Sequence, residues 1–408
     1  MNKFLQEFHE RGYFYQCTDN NGLSRTLEDK KIKAYIGFDC TAESLHVGSL
    51  LQIMCLRLLQ KHGHQPIVLL GGGTTRIGDP SGKDKTRQIL EEKTIENNIK
   101  NIEKILKIFL KTKNKNTSPI FVNNYDWLKN LNYISFLRDI GKHFTINKML
   151  NFDSVKLRLE REQSLSYMEF NYMILQAYDF LELNKKKNCL LQIGGSDQWG
   201  NIVNGVELIK RHTGKHVFGL TTPLITLASG AKMGKTEEGA VWLDPKLLSA
   251  YDYWQFWRNT DDNDVIRFIK MYTDKSINEI ENIKNQDINK LKIILANEAT
   301  AMLHGKTAAL NAEKTAKETF IDGIVGKDLP VINLKKKQGN KINILELVLA
   351  SKLLMSKGEV RRAIKNNGIK INDTTIVDDK LIVDFNQYDK NTCKLSFGKK
   401  KHIVVKLI

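Results

Sequence analysis

The chain has 408 residues, of which 41% are hydrophobic and 27% charged, a composition typical of a globular protein with two or three domains. No apolar run is long enough to cross a bilayer, and Glu7 and Glu10 interrupt the only apolar cluster near the N-terminus. We therefore expect neither a membrane span nor a signal peptide, and we expect a cytosolic location.

The net charge of +17 favours a polyanionic partner, either nucleic acid or a membrane surface. Residues 331–408 carry +10 of this charge, with 17 lysines and arginines against 7 aspartates and glutamates. A lysine-rich chain can also result from AT-rich coding, so charge alone leaves the partner open. The five cysteines are odd in number, widely spaced and without a CxxC pair, which argues against a disulfide framework or a zinc site. No protein-bound metal is expected.

The first half of the chain alternates strand and helix patterns. Apolar, β-favouring runs at 34–38, 66–70 and 189–193 each end at a polar or glycine-rich turn, and a helix pattern covers 45–61. Apolar strands that lead through such turns into helices are typical of a parallel sheet with helices on both faces. In these sheets ligands bind outside the carboxyl ends of the strands.

Helical patterns dominate the middle of the chain. Residues 126–170 lack strand signals, which predicts a helical insertion in the sheet that serves as a dimer interface or a substrate arm. The segment 249–319 is helical again, and we expect Trp254 and Trp257 in its core.

The end of the chain predicts a separate small unit. Glycines, Pro330 and three consecutive lysines at 322–340 indicate a linker. Two helix patterns and three short β-runs follow, at 344–353, 357–365, 369–371, 381–383 and 403–405.

The predicted fold class is therefore α/β: a Rossmann-like parallel-sheet domain with a helical insertion, then an α-helical domain, then a small α+β domain. The predicted limits are 1–222, 223–321, 322–340 for the linker, and 341–408.

The first candidate site is a nucleotide site after the first predicted strand. His46-Val47-Gly48 follows that strand and its turn, where a helix start offers unpaired N–H groups and a positive dipole to phosphate. An imidazole there can donate to charge that develops on a phosphate. Gly48 lets adenine or ribose approach the backbone. Alone, this triplet is common and fits a buried, hydrogen-bonded histidine better.

The surrounding string changes this interpretation. Residues 35–49, Tyr-Ile-Gly-Phe-Asp-Cys-Thr-Ala-Glu-Ser-Leu-His-Val-Gly-Ser, resemble the HIGH signature of class I aminoacyl-tRNA synthetases. Lys232-Met233-Gly234-Lys235-Thr236 resembles their second signature, KMSKS. Lysines three residues apart on a mobile loop can close over the phosphates of ATP and stabilise departing pyrophosphate. A Walker-type P-loop is absent, since Gly71-Gly72-Gly73-Thr74 lacks the required lysine. Together the two signatures predict an enzyme that adenylates a carboxylic acid.

A second candidate site is a polar stripe on one predicted helix. Tyr172, Gln176 and Asp179 recur at i, i+4 and i+7, which places them on one helical face. Such a stripe is usually solvated, but apolar neighbours predict that part of it is buried. Buried polar groups need partners, and a zwitterionic ligand would supply them.

The amino-acid sequence around this stripe resembles that of the bacterial-type tyrosyl-tRNA synthetases. The matching strings are residues 172–180, residues 191–201 (Leu-Gln-Ile-Gly-Gly-Ser-Asp-Gln-Trp-Gly-Asn) and residues 71–83. Tryptophanyl enzymes share the architecture but not these strings. The resemblance covers the whole chain, and the C-terminal unit looks like a small RNA-binding domain shared with a ribosomal small-subunit protein.

That resemblance implies a role for each matching residue. Tyr35 and Asp179 would bind the hydroxyl of L-tyrosine. The ammonium group would be held by Asp79, Tyr172 and Gln176, and the reacting carboxylate by Gln198. ATP, with Mg²⁺ and without a protein cage for the metal, would meet Gly37, Asp39, His46, Gly48, Ser49, Gly195, Asp197 and Lys235. The phosphates and leaving pyrophosphate would meet Thr41, His46, Lys83, Arg87, Lys232, Lys235 and Thr236. The tRNA(Tyr) would meet Lys357, Arg361 and Arg362.

Some positions depart from the commonest pattern of the family. Cys40 stands where proline is frequent, Ser49 where histidine is frequent, and Gln52 where some relatives carry threonine. These positions border the ribose and put the ATP contacts in question. The resemblance also implies a homodimer with no membrane partner. Two alternatives remain open at this stage: an adenylating enzyme for another aromatic acid, and a non-catalytic RNA-binding paralogue.

Overall fold

The computed structural model describes residues 2–81, 90–230, 233–236, 239–320, 329, 331–335, 339–398 and 401–408, without the side chains of residues 153–154, 235–236 and 319–320. The chain divides into two compact units: Met1–Leu248 with Phe256–Leu303, and Ser249–Gln255 with His304–Ile408. The four limits predicted from the sequence stay predictions. Within the described residues, no helix combines the length and the apolar character that crossing a bilayer would require.

The helices are numbered in chain order. They are α1 (Lys3–Glu10), α2 (Asn20–Asp29), α3 (Leu50–Lys61), α4 (Glu92–Phe109), α5 (Tyr125–Leu128), α6 (Tyr133–Asp139), α7 (Ile146–Leu150), α8 (Asp153–Glu160), α9 (Tyr167–Lys187), α10 (Trp199–Thr213), α11 (Ala250–Arg258), α12 (Val265–Tyr272), α13 (Ile277–Ile283), α14 (Ile288–His304), α15 (Lys306–Phe320), α16 (Ile344–Ala350) and α17 (Lys357–Lys365).

The strands are numbered in the same way. They are β1 (Gln16–Cys17), β2 (Lys33–Phe38), β3 (Gln65–Leu70), β4 (Ile120–Asn123), β5 (Cys189–Gly195), β6 (Phe218–Thr222), β7 (Lys235–Thr236), β8 (Gly239–Ala240), β9 (Val331–Leu334), β10 (Lys341–Asn343), β11 (Ile369–Ile371), β12 (Thr374–Thr375), β13 (Ile382–Asp384), β14 (Thr392–Phe397) and β15 (Lys401–Leu407).

A mostly parallel sheet organises the first unit. Its strand order is β1-β6-β5-β2-β3-β4, with β1 antiparallel to β6 and the other pairs parallel. The chain winds outward from β2 to β4 in one direction and from β5 to β6 in the other. The switch therefore falls between β2 and β5, where Tyr35 lies opposite Gln192. A ligand crevice is expected at the carboxyl ends of these two strands.

The helical insertion connects β4 to β5 and consists of α5 to α9. The Rossmann-like sheet with this insertion confirms the predicted fold class for the first unit. Strands β1, β4 and β6 were not predicted; they have only two, four and five residues. Trp254 and Trp257 are both buried, as expected.

The predicted helix at 45–61 is shorter in the structure. A 3-10 turn occupies Val47–Ser49, and α3 begins only at Leu50. Backbone pairing explains the delay: the Leu243 N–H donates to the Leu45 carbonyl at 2.8 Å, and His46 bridges Trp242. The Leu45 carbonyl used in this pairing is not available to a helical N–H. The prediction that His46 itself opens the helix is therefore wrong by one turn.

Helix α9 carries the polar stripe and has a firmly held start. Ser166 and Glu169 form a capping box, in which each side chain accepts from the backbone N–H of the other residue. The carboxylate of Glu169 also pairs with Arg158 of α8 at 3.0 Å, and both side chains are almost completely buried. This pair and the capping box fix the start of α9, the helix that carries Tyr172, Gln176 and Asp179.

The C-terminal part of the second unit is α+β, in agreement with the predicted fold class. Its main sheet has the order β12-β11-β14-β15-β9, β10 pairs with β13, and α16 and α17 contribute to one apolar core. Strand β9 lies inside the segment predicted as linker and pairs in parallel with β15. Four of those residues therefore belong to the sheet, since Val331, Ile332 and Leu334 supply a short β-pattern next to the lysines.

Candidate active site

A cleft opens at the carboxyl ends of β2 and β5, with a cavity volume of about 340 Å³. Twelve of the residues predicted for substrate binding line it: Tyr35, Gly37, Asp39, Gly48, Ser49, Asp79, Tyr172, Gln176, Asp179, Gly195, Asp197 and Gln198. The structure thus gathers side chains from positions 35 to 198 around one cavity. Thr41 is exposed and does not line it.

Asp179 is a buried carboxylate that lines the cleft. Its carboxylate accepts from Asn124 Nδ2 at 2.9 Å and from Trp127 Nε1 at 2.8 Å. Burial raises the pKa of Asp179 to about 7, although these two donors oppose the shift. The carboxylate is therefore oriented by two fixed donors and still has lone pairs for a ligand.

Tyr35 presents a hydroxyl group without a protein partner. The side chain is 1% exposed, and among the described residues no group bonds to its hydroxyl. Burial and the charge of Asp179 raise the pKa of Tyr35 well above its usual value, so the phenol stays protonated. A buried hydroxyl with no partner is costly, and a ligand with a polar tip would satisfy it.

Asp39 and Tyr172 are bonded to each other at the side of the cleft. The Tyr172 hydroxyl donates to Asp39 Oδ2 at 2.9 Å, and Thr74 Oγ1 donates to Asp39 Oδ1 at 2.8 Å. Asn124 donates in turn to Thr74 Oγ1 at 2.9 Å. The network therefore connects Asp39, at the end of β2, with Asn124, the same residue that orients Asp179.

A second network holds Asp79. Gln198 Nε2 donates to Asp79 Oδ2 at 2.8 Å, and the Ser81 N–H donates to Oδ1 at 2.9 Å. Asn201 Nδ2 lies 3.1 Å from the side-chain oxygens of both Gln176 and Gln198. Burial, followed by the charge of Asp39, raises the pKa of Asp79 to about 6. A ligand cation placed here would favour the ionised carboxylate and would be bound by it.

Three of these partners were not found from the sequence: Asn124, Trp127 and Asn201. Asn124 follows β4 directly, where a polar residue signals a site, but β4 itself was not predicted. Trp127 carries no local signal. Asn201 stands in the string 191–201, yet only the folded helix α10 shows that its amide faces Gln176.

The two signature strings meet at His46. The Gly48 N–H donates to His46 Nδ1 at 3.0 Å, and the Val47 N–H donates to the Val241 carbonyl at 2.9 Å. A Cβ atom on Gly234 would lie 2.7 Å from His46 Nδ1 and 3.2 Å from Gly48 N. Gly234 also has φ +121°, a conformation that other residues rarely adopt. The second signature therefore packs against the first through a position that requires glycine.

The remaining predicted residues fall partly outside the description. Lys83, Arg87 and Lys232 lie outside the described residues, and for Lys235 and Thr236 only the backbone of β7 is described. Two of the three departures from the family pattern, Cys40 and Gln52, have local contacts that explain them. The Cys40 N–H donates to Thr75 Oγ1 at 2.8 Å, a bond that proline could not make. Gln52 Nε2 donates to Thr222 Oγ1 at 2.8 Å.

Comparisons with known proteins agree on one family. The family model "tRNA synthetases class I (W and Y)" matches residues 27–321. The chain is 71% identical to the tyrosine–tRNA ligase of Pelagibacter ubique (strain HTCC1062), with all of both chains covered. It is 51% identical to that of Rickettsia rickettsii (strain Sheila Smith), with 99% of this chain and 100% of the relative covered.

Solved structures give the same result. A C-terminally truncated mitochondrial tyrosyl-tRNA synthetase from Aspergillus nidulans superposes with a TM-score of 0.71 at 31% identity, covering 78% of this chain and 94% of that one. The tyrosyl-tRNA synthetase from Archaeoglobus fulgidus, solved with L-tyrosine, shares the fold with a TM-score of 0.57 at 16% identity, covering 76% of this chain and all of that one.

The contact between Gly234 and His46 can be tested against a matched glycine. Gly239, across the same hairpin, has φ +119°, but nothing lies within 4 Å of its Cβ position. Gly234→Ala and Gly239→Ala should both lower the free energy of unfolding by about 1 kcal/mol, because both strain the backbone. Only Gly234→Ala should weaken ATP binding, by about tenfold, because its methyl group displaces the imidazole. Calorimetric ATP titration and urea unfolding measure the two effects, and equal ATP affinities in the two variants would contradict this arrangement.

Proposed function

Because the chain belongs to the class I tyrosyl-tRNA synthetases, we propose that the phenol of L-tyrosine binds between Tyr35 and Asp179. The chain activates tyrosine with ATP and transfers it to tRNA. The observation that carries the residue assignment is the buried, unpartnered hydroxyl of Tyr35 beside the oriented carboxylate of Asp179. The substrate hydroxyl would donate to Asp179 and accept from Tyr35. Phenylalanine would leave the Tyr35 hydroxyl unpaired and would bring no donor to Asp179, which is a strong basis for rejection.

The ammonium and carboxylate groups of the amino acid would lie among carboxylate and amide side chains of the cleft. The ammonium group would pair with Asp79 and contact Tyr172 and Gln176. The raised pKa of Asp79 supports this assignment, since a site that disfavours a lone negative charge gains when a cation enters. Gln198, bonded to Asp79, would then lie at the substrate carboxylate.

The nucleotide would occupy the rest of the cleft. Asp197 would accept from the ribose hydroxyls, Gly37, Asp39 and Gly195 would line the same region, and Gly48 and Ser49 would face adenosine. Thr41 and His46 would approach the phosphates, together with Lys83, Arg87, Lys232, Lys235 and Thr236. Magnesium would accompany ATP through the phosphate oxygens.

The chemistry needs no side-chain nucleophile. An oxygen of the tyrosine carboxylate attacks the α-phosphorus, the bond to the bridging oxygen breaks, and pyrophosphate leaves with the electron pair. A hydroxyl of the terminal tRNA ribose then attacks the carbonyl carbon of the adenylate, and AMP leaves. The protein contributes alignment and stabilisation of the charge that develops on pyrophosphate.

Pyrophosphate–ATP exchange with a panel of amino acids tests the assignment. We expect exchange with tyrosine, little with phenylalanine or tryptophan, and none after removal of Mg²⁺ by a chelator. His46→Ala should slow exchange by about tenfold or more while tyrosine affinity changes little, because the imidazole would act on phosphate. His216→Ala, at an exposed position before β6, is the control and should be unchanged. Equal exchange with phenylalanine, or a large loss of tyrosine binding in His46→Ala, would contradict the assignment.

The second unit would bind tRNA(Tyr). Binding of this partner agrees with the cytosolic location expected from the sequence. Helix α17 begins with a capping box at Ser356 and Glu359 and exposes Lys357, Arg361 and Arg362. Arg361 also pairs with Asp379 at 3.1 Å, so its charge is partly compensated. The three cations project from one rigid helix, which suits the phosphate backbone of RNA.

Replacement of these three cations by alanine should raise KM for tRNA and leave exchange intact. The slope of log affinity against log salt should fall by about one for each phosphate contact that is lost. Replacement of Lys306, Lys314 and Lys317 on α15 removes the same charge from other exposed positions and serves as the control. Equal effects of the two triple variants would contradict a role for α17.

We also propose that the helical insertion forms a homodimer interface. Of the eighteen exposed large hydrophobic side chains among the described residues, eight lie between positions 133 and 167: Tyr133, Ile134, Leu137, Ile146, Leu150, Leu157, Leu159 and Tyr167. Such a concentration is unusual for a surface that faces water. A second copy of the chain is the occupant that the family resemblance implies.

Ile134→Glu tests this interface by sedimentation velocity. Ile134 is 70% exposed in one chain, and a carboxylate buried between two copies would be costly, so we expect the mass to fall to that of a monomer. Leu310→Glu, at a similarly exposed position on α15, should leave the dimer intact. A wild-type monomer, or a dimer unaffected by Ile134→Glu, would overturn the proposal.

A further inference from the structure

Asp264, the residue just before α12, has a carboxylate that does not cap this helix. Asp264 occupies the N-cap position, where aspartate normally accepts from a backbone N–H of the first turn, yet its side chain makes no such bond. Instead Asp264 Oδ2 accepts from the Ala228 N–H at 2.7 Å. The side chain is only 6% exposed. The carboxylate therefore serves the segment that precedes the second signature.

Arg267 completes this contact from one turn further along α12. Its Nη2 donates to Asp264 Oδ1 at 2.6 Å and to the Thr226 carbonyl at 2.5 Å. Asp264 thus binds the backbone N–H of Ala228, and Arg267 binds the backbone carbonyl of Thr226, two residues earlier. We call these two side chains the α12 clamp.

The clamped segment is connected directly to the second signature. The Met233 N–H donates to the Ile225 carbonyl at 3.0 Å, one residue before Thr226. At the other end of α12, the Tyr272 hydroxyl donates to the sulfur of Met233 at 3.1 Å. Met233 is therefore held at two points. Its side chain contacts Tyr272 of α12, and its backbone contacts Ile225, the neighbour of the residue that Arg267 of α12 binds.

Met233 in turn lies against the first signature. Its carbonyl oxygen would be 2.8 Å from a Cβ atom on Gly48, and the next residue, Gly234, packs on His46. A shift of residues 226–228 would therefore move the contact between the two signatures. It would not move Tyr35 or Asp179, which stand on β2 and α9.

We propose that Asp264 and Arg267 are positioning residues for the ATP step of the reaction. This inference rests on the proposed adenylation. The clamp touches no substrate; it fixes the segment before Met233 and Gly234 and thereby the contact of these two residues with Gly48 and His46. Pre-ordering of this kind lowers the barrier because less freedom is lost when the reactants align.

A purely structural role would give a different pattern of effects. An ordinary N-cap or a partly exposed i, i+3 ion pair supports the helix and the stability of the protein. A positioning role affects ATP and pyrophosphate kinetics and spares tyrosine binding. Asp261 offers the matched control, because it caps the preceding 3-10 turn by accepting from the Asn263 N–H at 3.0 Å and has no bond to residues 224–230.

The experiment measures tyrosine-dependent pyrophosphate–ATP exchange, tyrosine binding by equilibrium dialysis, and Tm. Asp264→Ala should lower kcat/KM for ATP by about tenfold, because displacement of the turn at His46 misaligns ATP, with tyrosine affinity unchanged. Asp264→Asn keeps an acceptor for Ala228 and should lose less. Arg267→Ala should resemble Asp264→Ala, and Asp261→Ala should match the wild type in exchange, whatever its Tm.

Equal exchange in Asp264→Ala and Asp261→Ala, or parallel losses of ATP and tyrosine binding, would overturn the inference. If Asp264→Ala does not fold, Asp264→Asn and Arg267→Ala are judged by the same criteria. A wild-type protein without tyrosine-dependent exchange would overturn the proposed function and this inference together. An active wild type with unaffected clamp variants would overturn this inference alone.

Discussion

The parallel pairing of β2 with β5 is the constraint on which the site depends. The chain winds outward from this pair in opposite directions, which leaves a crevice at its carboxyl ends. The turn after β2 carries Asp39 and leads to His46, and the end of β5 carries Gly195 and leads to Asp197. Residues more than 150 positions apart thus face one cavity because two strands share a ladder.

Burial of carboxylates in this crevice is costly and is offset locally. Asp179 has two donors, from Asn124 and Trp127, and Asp79 has donors from Gln198 and Ser81. The pKa values of both nevertheless stay raised, to about 7 and about 6, because the donors do not replace the lost water. A ligand that brings a hydrogen-bond donor to Asp179 and a cation to Asp79 would offset this cost at both positions.

The position of the second signature depends on a different part of the unit. Its hairpin reaches His46 through Gly234, but its approach is held by α12, whose residues come some thirty positions later in the chain. The start of α3 is affected as well, since pairing of Leu45 with Leu243 replaces the first helical turn. The surroundings of His46 are thus assembled from long-range backbone contacts, whereas Tyr35 and Asp179 stand on regular elements.

The sequence alone determined what is encoded locally. Three local features sufficed to predict the fold class, the family and twelve residues of the cleft. They are the glycine-ended apolar strands, the polar stripe at 172, 176 and 179, and the two signature strings. The tertiary structure alone decided how these groups are supported: Asn124 and Trp127 behind Asp179, the strand β9 within the predicted linker, and the diversion of Asp264 from its own helix to Ala228. The physical reason is range. Periodicity and capping act over a few neighbouring residues, but a hydrogen bond between distant segments exists only after the sheet has brought them together.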